Sequence, residues 1–192
     1  MDIFAGTSGG LAPEIMFGLA RFRHQVFVQR LGWQLEERGD GLELDQFDRP
    51  DTVYVVARDE SGEVAGSARL LPTTKPYLLG EVFPTLLHGE PTPRNTEVWE
   101  LSRFAAVDFS CRSTSALSQF SSPIAVNMLH AAMRVAAERG AERLITVSPL
   151  GVLRLLRRAG FHAHPAAPPL VVEGHPLFAC IIEIERNTEA AH

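Results

Sequence analysis

Lysine is almost absent: Lys75 is the only one among 18 basic residues, the rest being arginine. The bias is global, so arginine at any one position carries little information by itself. Cysteine is scarce as well. Cys111 and Cys180 are too few for a disulfide framework or a CxxC-type structural zinc site, and both read as reduced thiols. No apolar run approaches the roughly 18 residues that cross a bilayer, so no membrane span is expected. The start, MDIFAGTSGG, has neither a basic segment nor an apolar one of the secretory kind, so a cytoplasmic location is the default expectation. The seven histidines show no HExxH spacing, and His162 and His164 are the only close pair, so no metal is expected. A Gly-x-Ser-x-Gly elbow is missing and Cys111 has no evident histidine partner, which argues against a side-chain nucleophile. Net charge is −5 at pH 7, which disfavours wholesale binding to nucleic acid.

What is present fits one globular unit of 192 residues with 45% hydrophobic composition, read as a single domain over 1–192. Pro13 opens a helix in which Ile15, Met16, Leu19, Phe22, Val26 and Phe27 recur at helical spacing to about Leu31. Gly39 to Pro50 has turn chemistry and reads as a surface loop. TVYVVARD and EVAGSARLL flank Glu60-Ser61-Gly62, which predicts a β-hairpin. Five prolines between 72 and 97 forbid long elements there and leave room for one short helix near Phe83 to Leu87. VWELSRFAAV from Val98 reads as a third strand of alternating apolar and polar residues. A helix from Ser122 to Gly140, the strand LITVS, a helix from Leu150 to Ala159 capped by Gly160, and the strand FACIIEIE complete the order. Meander strands followed by β-α alternation imply an α/β fold, a mixed central sheet with helices on both faces, compatible with the N-acetyltransferase-like (GNAT-like) class.

Polar and aromatic residues crowd the first three strands beyond what a plain core requires. Arg23 and Phe27 stand at i, i+4 on one helix face, and Trp33 follows the helix end. Asp45 and Asp48 lie in the loop, Arg69 near the end of the second hairpin strand, Glu100 and Arg103 in the third strand. Each also has a plain reading as a solvated arginine, a core aromatic, a turn aspartate or a surface ion pair. Taken together, RHQVFVQRLGW (Arg23 to Trp33), LDQFD (Leu44 to Asp48), DTVYVVAR (Asp51 to Arg58), GSARLLPT (Gly66 to Thr73) and WELSRFAAV (Trp99 to Val107) resemble the blocks of the acyl-homoserine-lactone synthases, the quorum-sensing autoinducer synthases. The resemblance is strong over about 20–108 and weaker beyond, where LITVSPLGVLRLLRRAGF carries it.

That resemblance implies a GNAT-like acyltransferase that takes S-adenosylmethionine as substrate and an acyl chain from acyl carrier protein, makes an N-acyl-homoserine lactone and releases 5'-methylthioadenosine, with no further cofactor. It assigns about 1–108 to the S-adenosylmethionine cleft and about 109–192 to the acyl chain and carrier protein. S-adenosylmethionine carries a sulfonium, an ammonium and a carboxylate. Asp45 and Asp48 can hold the cationic parts, Phe27 and Trp33 can meet the sulfonium or the adenine, and Arg23, Arg69 or Arg103 can meet the carboxylate. Alternatively Asp45, Asp48 and Arg69 pair with one another to shape the cleft. Glu100 is the candidate base, directly or through a water, and Arg103 a candidate helper at the oxyanion. Leu101, Phe104, Met128, Thr146 and Leu153 are the candidate acyl-chain pocket, with Ser148 sharing Thr146's claim to meet a 3-oxo group.

The donor is read from two features. Coenzyme-A-dependent members of this fold usually carry an [RQ]-x-x-G-x-[GA] loop for the pyrophosphate, whereas SCRSTSALSQFSSP here has no glycine. From Arg134 to Arg158, six arginines face two glutamates, and Arg134, Arg154, Arg157 and Arg158 are the candidate docking residues for an acidic carrier. The competing expectations are a general GNAT-like N-acyltransferase using acyl-CoA and a non-catalytic ligand-binding domain.

Overall fold

The computed structural model describes residues 1–33, 35, 39–107 and 122–185. In chain order they form β1 (Asp2–Thr7), α1 (Pro13–Arg23), a π-helix (His24–Arg30), β2 (Val53–Arg58), β3 (Val64–Pro72), α2 (Leu78–Val82), a 3-10 turn (Pro84–Leu87), β4 (Val98–Ala106), α3 (Pro123–Ala137), β5 (Arg143–Pro149), α4 (Gly151–Arg158), β6 (Ala163–Pro165), β7 (Leu170–Val172) and β8 (His175–Glu183). They group into two compact units that interleave along the chain: 1–71 with 101–132, and 72–100 with 133–192.

In the first unit β1, β2 and β3 pair in sequence order, antiparallel, and Leu101–Ala106 of β4 follows. The predicted hairpin is β2–β3. Its turn is locked by Asp59, whose side-chain Oδ1 accepts from the backbone N–H of Ser61 and of Glu63, while Gly62 supplies a φ of 86°. Leu19, Phe22, Val26 and Phe27 pack with Tyr54, Val56, Val64, Ala105 and Val107 into the core that fixes the helix against the sheet. The helix expected to run from Pro13 to about Leu31 changes character at His24, where the winding widens to a π-helix. Its last turns show the longer reach: the Leu31 N–H donates to the Val26 carbonyl at 3.0 Å and the Trp33 N–H to that of Phe27 at 2.9 Å. α3 lies close on β3: a Cβ at Gly66 would come within 2.1 Å of the Met128 sulfur.

In the second unit Val98–Glu100 of β4 run parallel to β5, β5 pairs antiparallel with β8, and β6 and β7 pair antiparallel with β8, so the sheet is mixed as expected. α4 buries Val152 and Leu156 and exposes Arg154, Arg157 and Arg158. Gly160, at φ 92°, ends it by the predicted left-handed cap, with the Phe161 N–H returning to the Leu156 carbonyl.

Four expectations are corrected. β1 precedes the first helix; the strand from FACIIEIE starts earlier, at His175; and β6 and β7 are additional. The β4 segment does not alternate between core and solvent, because all nine of its residues are buried. Cys111, most of the glycine-free stretch and the chain end lie outside the described residues.

Candidate active site

The first unit gathers three arginines and three carboxylates beneath a pair of aromatic rings. Arg23, the last residue of α1, grips Asp48 with both terminal nitrogens, at 2.7 and 3.0 Å, and its Nε donates to Glu43. Arg69 of β3 donates through Nη1 to Asp45 at 2.6 Å and through Nε to the Ser102 hydroxyl at 3.0 Å. Arg103 of β4 donates to Glu43 at 3.1 and 2.9 Å and to Asp45 at 2.9 Å. The Tyr54 hydroxyl donates to Asp48 at 2.8 Å. Arg23 and Arg69 are wholly buried.

Local structure explains the convergence. Asp45 and Asp48 fold their own loop, Asp45 accepting from the Phe47 N–H at 2.8 Å and Asp48 from the Asp45 N–H at 2.7 Å. The Glu43 N–H donates to the Ala20 carbonyl, which ties the loop to α1. Arg103 has a φ of 50° inside a strand, a conformation that costs a side-chain-bearing residue energy and signals a constrained site; its carbonyl is held by the Ser67 hydroxyl at 3.0 Å.

The electrostatics follow from the pairing. For Arg23, Glu43 and Asp48 burial opposes the charge, and the opposite charges around them overcome it. The Arg23 guanidinium is held above its ordinary value by Asp48 and Glu43. Asp48 is held far below the usual carboxylate range by Arg23 and Arg69, and Glu43 below it by Arg23 and Arg103. Burial and the Asp48 charge push the Tyr54 phenol up, so it stays a proton donor. Three positive and three negative charges are thereby fixed in place without a net charge.

Two groups stand apart from the pairing. Nη2 of Arg69 is buried and has no hydrogen-bond partner among the described residues, which makes it a donor awaiting an acceptor. Trp33 stacks on Phe27 with ring centroids 4.8 Å apart and 28° between planes, yet remains 44% exposed. The Arg103 guanidinium lies 5.7 Å from each of these two rings, and that of Arg69 5.6 Å from Phe47.

The structure thus brings Arg23, Phe27, Trp33, Asp45, Asp48, Arg69 and Arg103 together, and it forms the ion network among Asp45, Asp48 and Arg69 that the sequence left as one of two readings. Glu43, Tyr54, Phe47 and Ser102 join them and were missed; the signal for Glu43 was its place beside Asp45 in an ELDQFD run facing three buried arginines. Glu100 belongs to the second unit, where its buried carboxylate accepts the N–H groups of Leu78 at 3.0 Å and Leu79 at 2.6 Å and so fixes the start of α2. Leu101, Phe104 and Met128 are buried in the first unit, Thr146 is buried and Leu153 half-buried in the second, so the candidate acyl-chain residues divide between the units. Ser148 is buried in the second unit with a hydroxyl that has no partner among the described residues. Arg134, Arg154, Arg157 and Arg158 are all exposed there. Arg157 spends its Nε on the Ala163 carbonyl at 2.9 Å. Among the described residues there is no group of three or more potential metal ligands and no helix long and apolar enough to cross a membrane.

Comparison with known proteins gives this arrangement its context. The profile of the autoinducer synthase family matches residues 14–191. An acyl-homoserine-lactone synthase of Acinetobacter nosocomialis is 50% identical over 184 residues, covering 96% of this chain and all of that protein. Among solved structures, TofI in a ternary complex with an inhibitor and MTA superposes with a TM-score of 0.82 at 45% identity, covering 98% of this chain and 94% of TofI. BjaI, a CoA-dependent acyl-homoserine lactone synthase solved with SAM and isopentyl-CoA, superposes with a TM-score of 0.82 at 30% identity, covering 97% of this chain and 84% of BjaI. The GNAT-like α/β fold is therefore the one these synthases share, and the chain belongs to the autoinducer synthase family as an acyltransferase of the acyl-homoserine-lactone synthase kind.

Proposed function

We propose that the chain condenses S-adenosylmethionine with an acyl chain carried on acyl carrier protein, and that the three-by-three ion network with its Phe27–Trp33 platform is the S-adenosylmethionine site. The observation that carries the reading is one ion network that holds a buried Arg69 Nη2 with no partner among the described residues and whose Arg103 guanidinium lies 5.7 Å from the exposed Trp33 ring. A substrate carboxylate reaching Nη2 satisfies a donor whose isolation costs about 1–3 kcal/mol, and the Trp33 face offers stacking for adenine or a cation-π contact for the sulfonium. Asp45, the most exposed of the three network carboxylates, is placed to meet the ammonium. Because the arginines are already neutralised by Glu43, Asp45 and Asp48, the substrate carboxylate is oriented without a full bidentate clamp, and its oxygen keeps its nucleophilicity.

Two bonds form. The ammonium first loses a proton, a step for which we assign Glu100 as the base, directly or through one water. The amine attacks the thioester carbonyl and the carrier's thiolate departs. In the second step a carboxylate oxygen attacks the γ-carbon, the C–S bond breaks, and its electron pair returns to the sulfonium, which leaves as neutral methylthioadenosine. Ring closure of this kind needs positioning more than acid or base.

Two features support carrier protein as donor: the four exposed arginines at the end of α3 and on α4, and the glycine-free stretch where a pyrophosphate loop would be expected. The CoA dependence of BjaI favours acyl-CoA as a second reading. The enzyme would act in the cytoplasm, where both kinds of thioester are made. Incubation with S-adenosylmethionine and either donor, followed by mass spectrometry, is expected to yield methylthioadenosine and acyl-homoserine lactone from the carrier-bound chain at least about tenfold faster. Faster turnover of acyl-CoA would reverse the donor assignment, and binding without product would remove the activity. Reversing Arg154 and Arg157 to Glu should raise KM for the carrier protein and leave KM for S-adenosylmethionine unchanged; equal effects on both would count against docking there.

A further inference from the structure

In the first unit, the outer side of α1 and the turn of the β2–β3 hairpin line an open cavity of about 280 Å³ that shares no lining residue with the ion network. Each wall contributes one acid and one base: Glu14 and Arg21 from α1, Glu63 and Arg58 from the hairpin. Glu14 and Arg21 are seven residues apart, so they project from one helix face about 10 Å apart along the axis, with Phe17 between them and 58% exposed. Ile15 adds to the apolar lining.

The charges here contrast with those of the network. There every arginine meets carboxylates. Around this cavity the side chains of Glu14, Arg21 and Glu63 make no hydrogen bond or ion pair among the described residues, and Arg58, whose guanidinium lies 5.9 Å from the Phe4 ring, meets no carboxylate and donates its Nε to the Gly62 carbonyl. Charges of both signs thus line a hollow with an aromatic rim, three of them on exposed side chains. Sites for drug-sized ligands run from roughly 300 to 1,000 Å³, so the occupant is smaller than those.

We propose that this cavity binds a small zwitterion, a free α-amino acid with an apolar or thioether side chain. Its carboxylate meets Arg21 and Arg58, its ammonium meets Glu14 and Glu63, and its side chain lies against Phe17 and Ile15. The site is separate from the catalytic one and does not depend on the reading of that one.

The test is titration of the whole protein with L-methionine and L-leucine, followed by backbone amide NMR. Saturable shifts at α1 and the hairpin turn are expected, with Kd of about 1 mM or tighter. 4-(Methylthio)butyrate and 3-(methylthio)propylamine, each lacking one charge, should bind at least about tenfold more weakly. Arg21→Glu should cause the same loss with an unchanged circular dichroism spectrum, whereas Trp33→Ala should bind as well as the wild type. The proposal is overturned if no saturation occurs by about ten times that concentration, if Arg21→Glu binds normally, or if only Trp33→Ala abolishes binding, which would place the amino acid at the catalytic site. Shifts that follow protein concentration rather than amino acid would make the face a self-association surface and also overturn it.

Discussion

Replacing Glu43 with glutamine probes the network at a residue whose two oxygens both accept. Oε2 takes the Arg23 Nε–H and Oε1 takes two donors from Arg103. An amide keeps only one acceptor, so its NH2 must face one guanidinium donor to donor, whichever way the group is turned. The substitution also leaves three buried arginine charges against two carboxylates. Removing one partner of a buried ion pair costs about 3–5 kcal/mol, and Glu43 at 3% exposure has little solvent to soften the loss. Urea denaturation followed by fluorescence at pH 7 should show that loss. The pH dependence supplies a second check. Because the Arg23 and Arg103 charges hold Glu43 below its ordinary value of 4.5, its contribution is fully present above that value and disappears as pH falls through the depressed one. The gap between wild type and Glu43→Gln should therefore stay constant from pH 7 to about pH 5 and narrow in more acid solution. A loss under about 1 kcal/mol at pH 7 would refute the reasoning, since that is the size of an exposed pair.

Three further outcomes follow from particular contacts. Arg103→Ala and Arg103→Gly remove the same side chain, but only glycine is at ease at a φ of 50°, so the glycine variant should be the more stable by about 1 kcal/mol in the same denaturation assay; equal stability would deny strain at that residue. Gly66→Ala should lower stability by about 1–3 kcal/mol, because its Cβ meets the buried Met128, and an unchanged melting temperature would show that α3 yields without penalty. Burial pushes the Cys180 thiol up to about 12, so in a Cys111→Ser background it should resist a thiol reagent at pH 8 until denaturant is added; prompt labelling would contradict its burial.

Much of this architecture was readable in advance where local chemistry decides it. The hairpin announces itself through Glu60-Ser61-Gly62, and Gly140 and Gly160 mark helix ends at which a left-handed residue is required. β1 was not readable, because DIFAGT is an edge strand with half-exposed residues and no clear alternation. The π-helix was hidden for another reason: the periodicity of its apolar residues is close to that of an α-helix, and the difference shows in the backbone bonds, such as the Leu31 N–H to the Val26 carbonyl. β4 lost its pattern because it is buried on both faces, with Glu100 satisfied by α2 and Ser102 by Arg69. Within the candidate site, charged residues were recognisable by type and spacing, but pairing was not. Whether Asp45 and Asp48 face a ligand or one another depends on contacts 24 and 25 residues away in the chain.

The claim on which the functional reading rests is that S-adenosylmethionine is held at the ion network by Arg69 and Trp33. A crystal structure of the wild-type protein with S-adenosylmethionine measures this directly. The account predicts the methionine carboxylate within hydrogen-bond distance of Arg69 Nη2 and the adenine or sulfonium on the Phe27–Trp33 rings, with the six network charges still paired. Substrate bound elsewhere, with Arg69 Nη2 still unpartnered and Trp33 still bare, would contradict it.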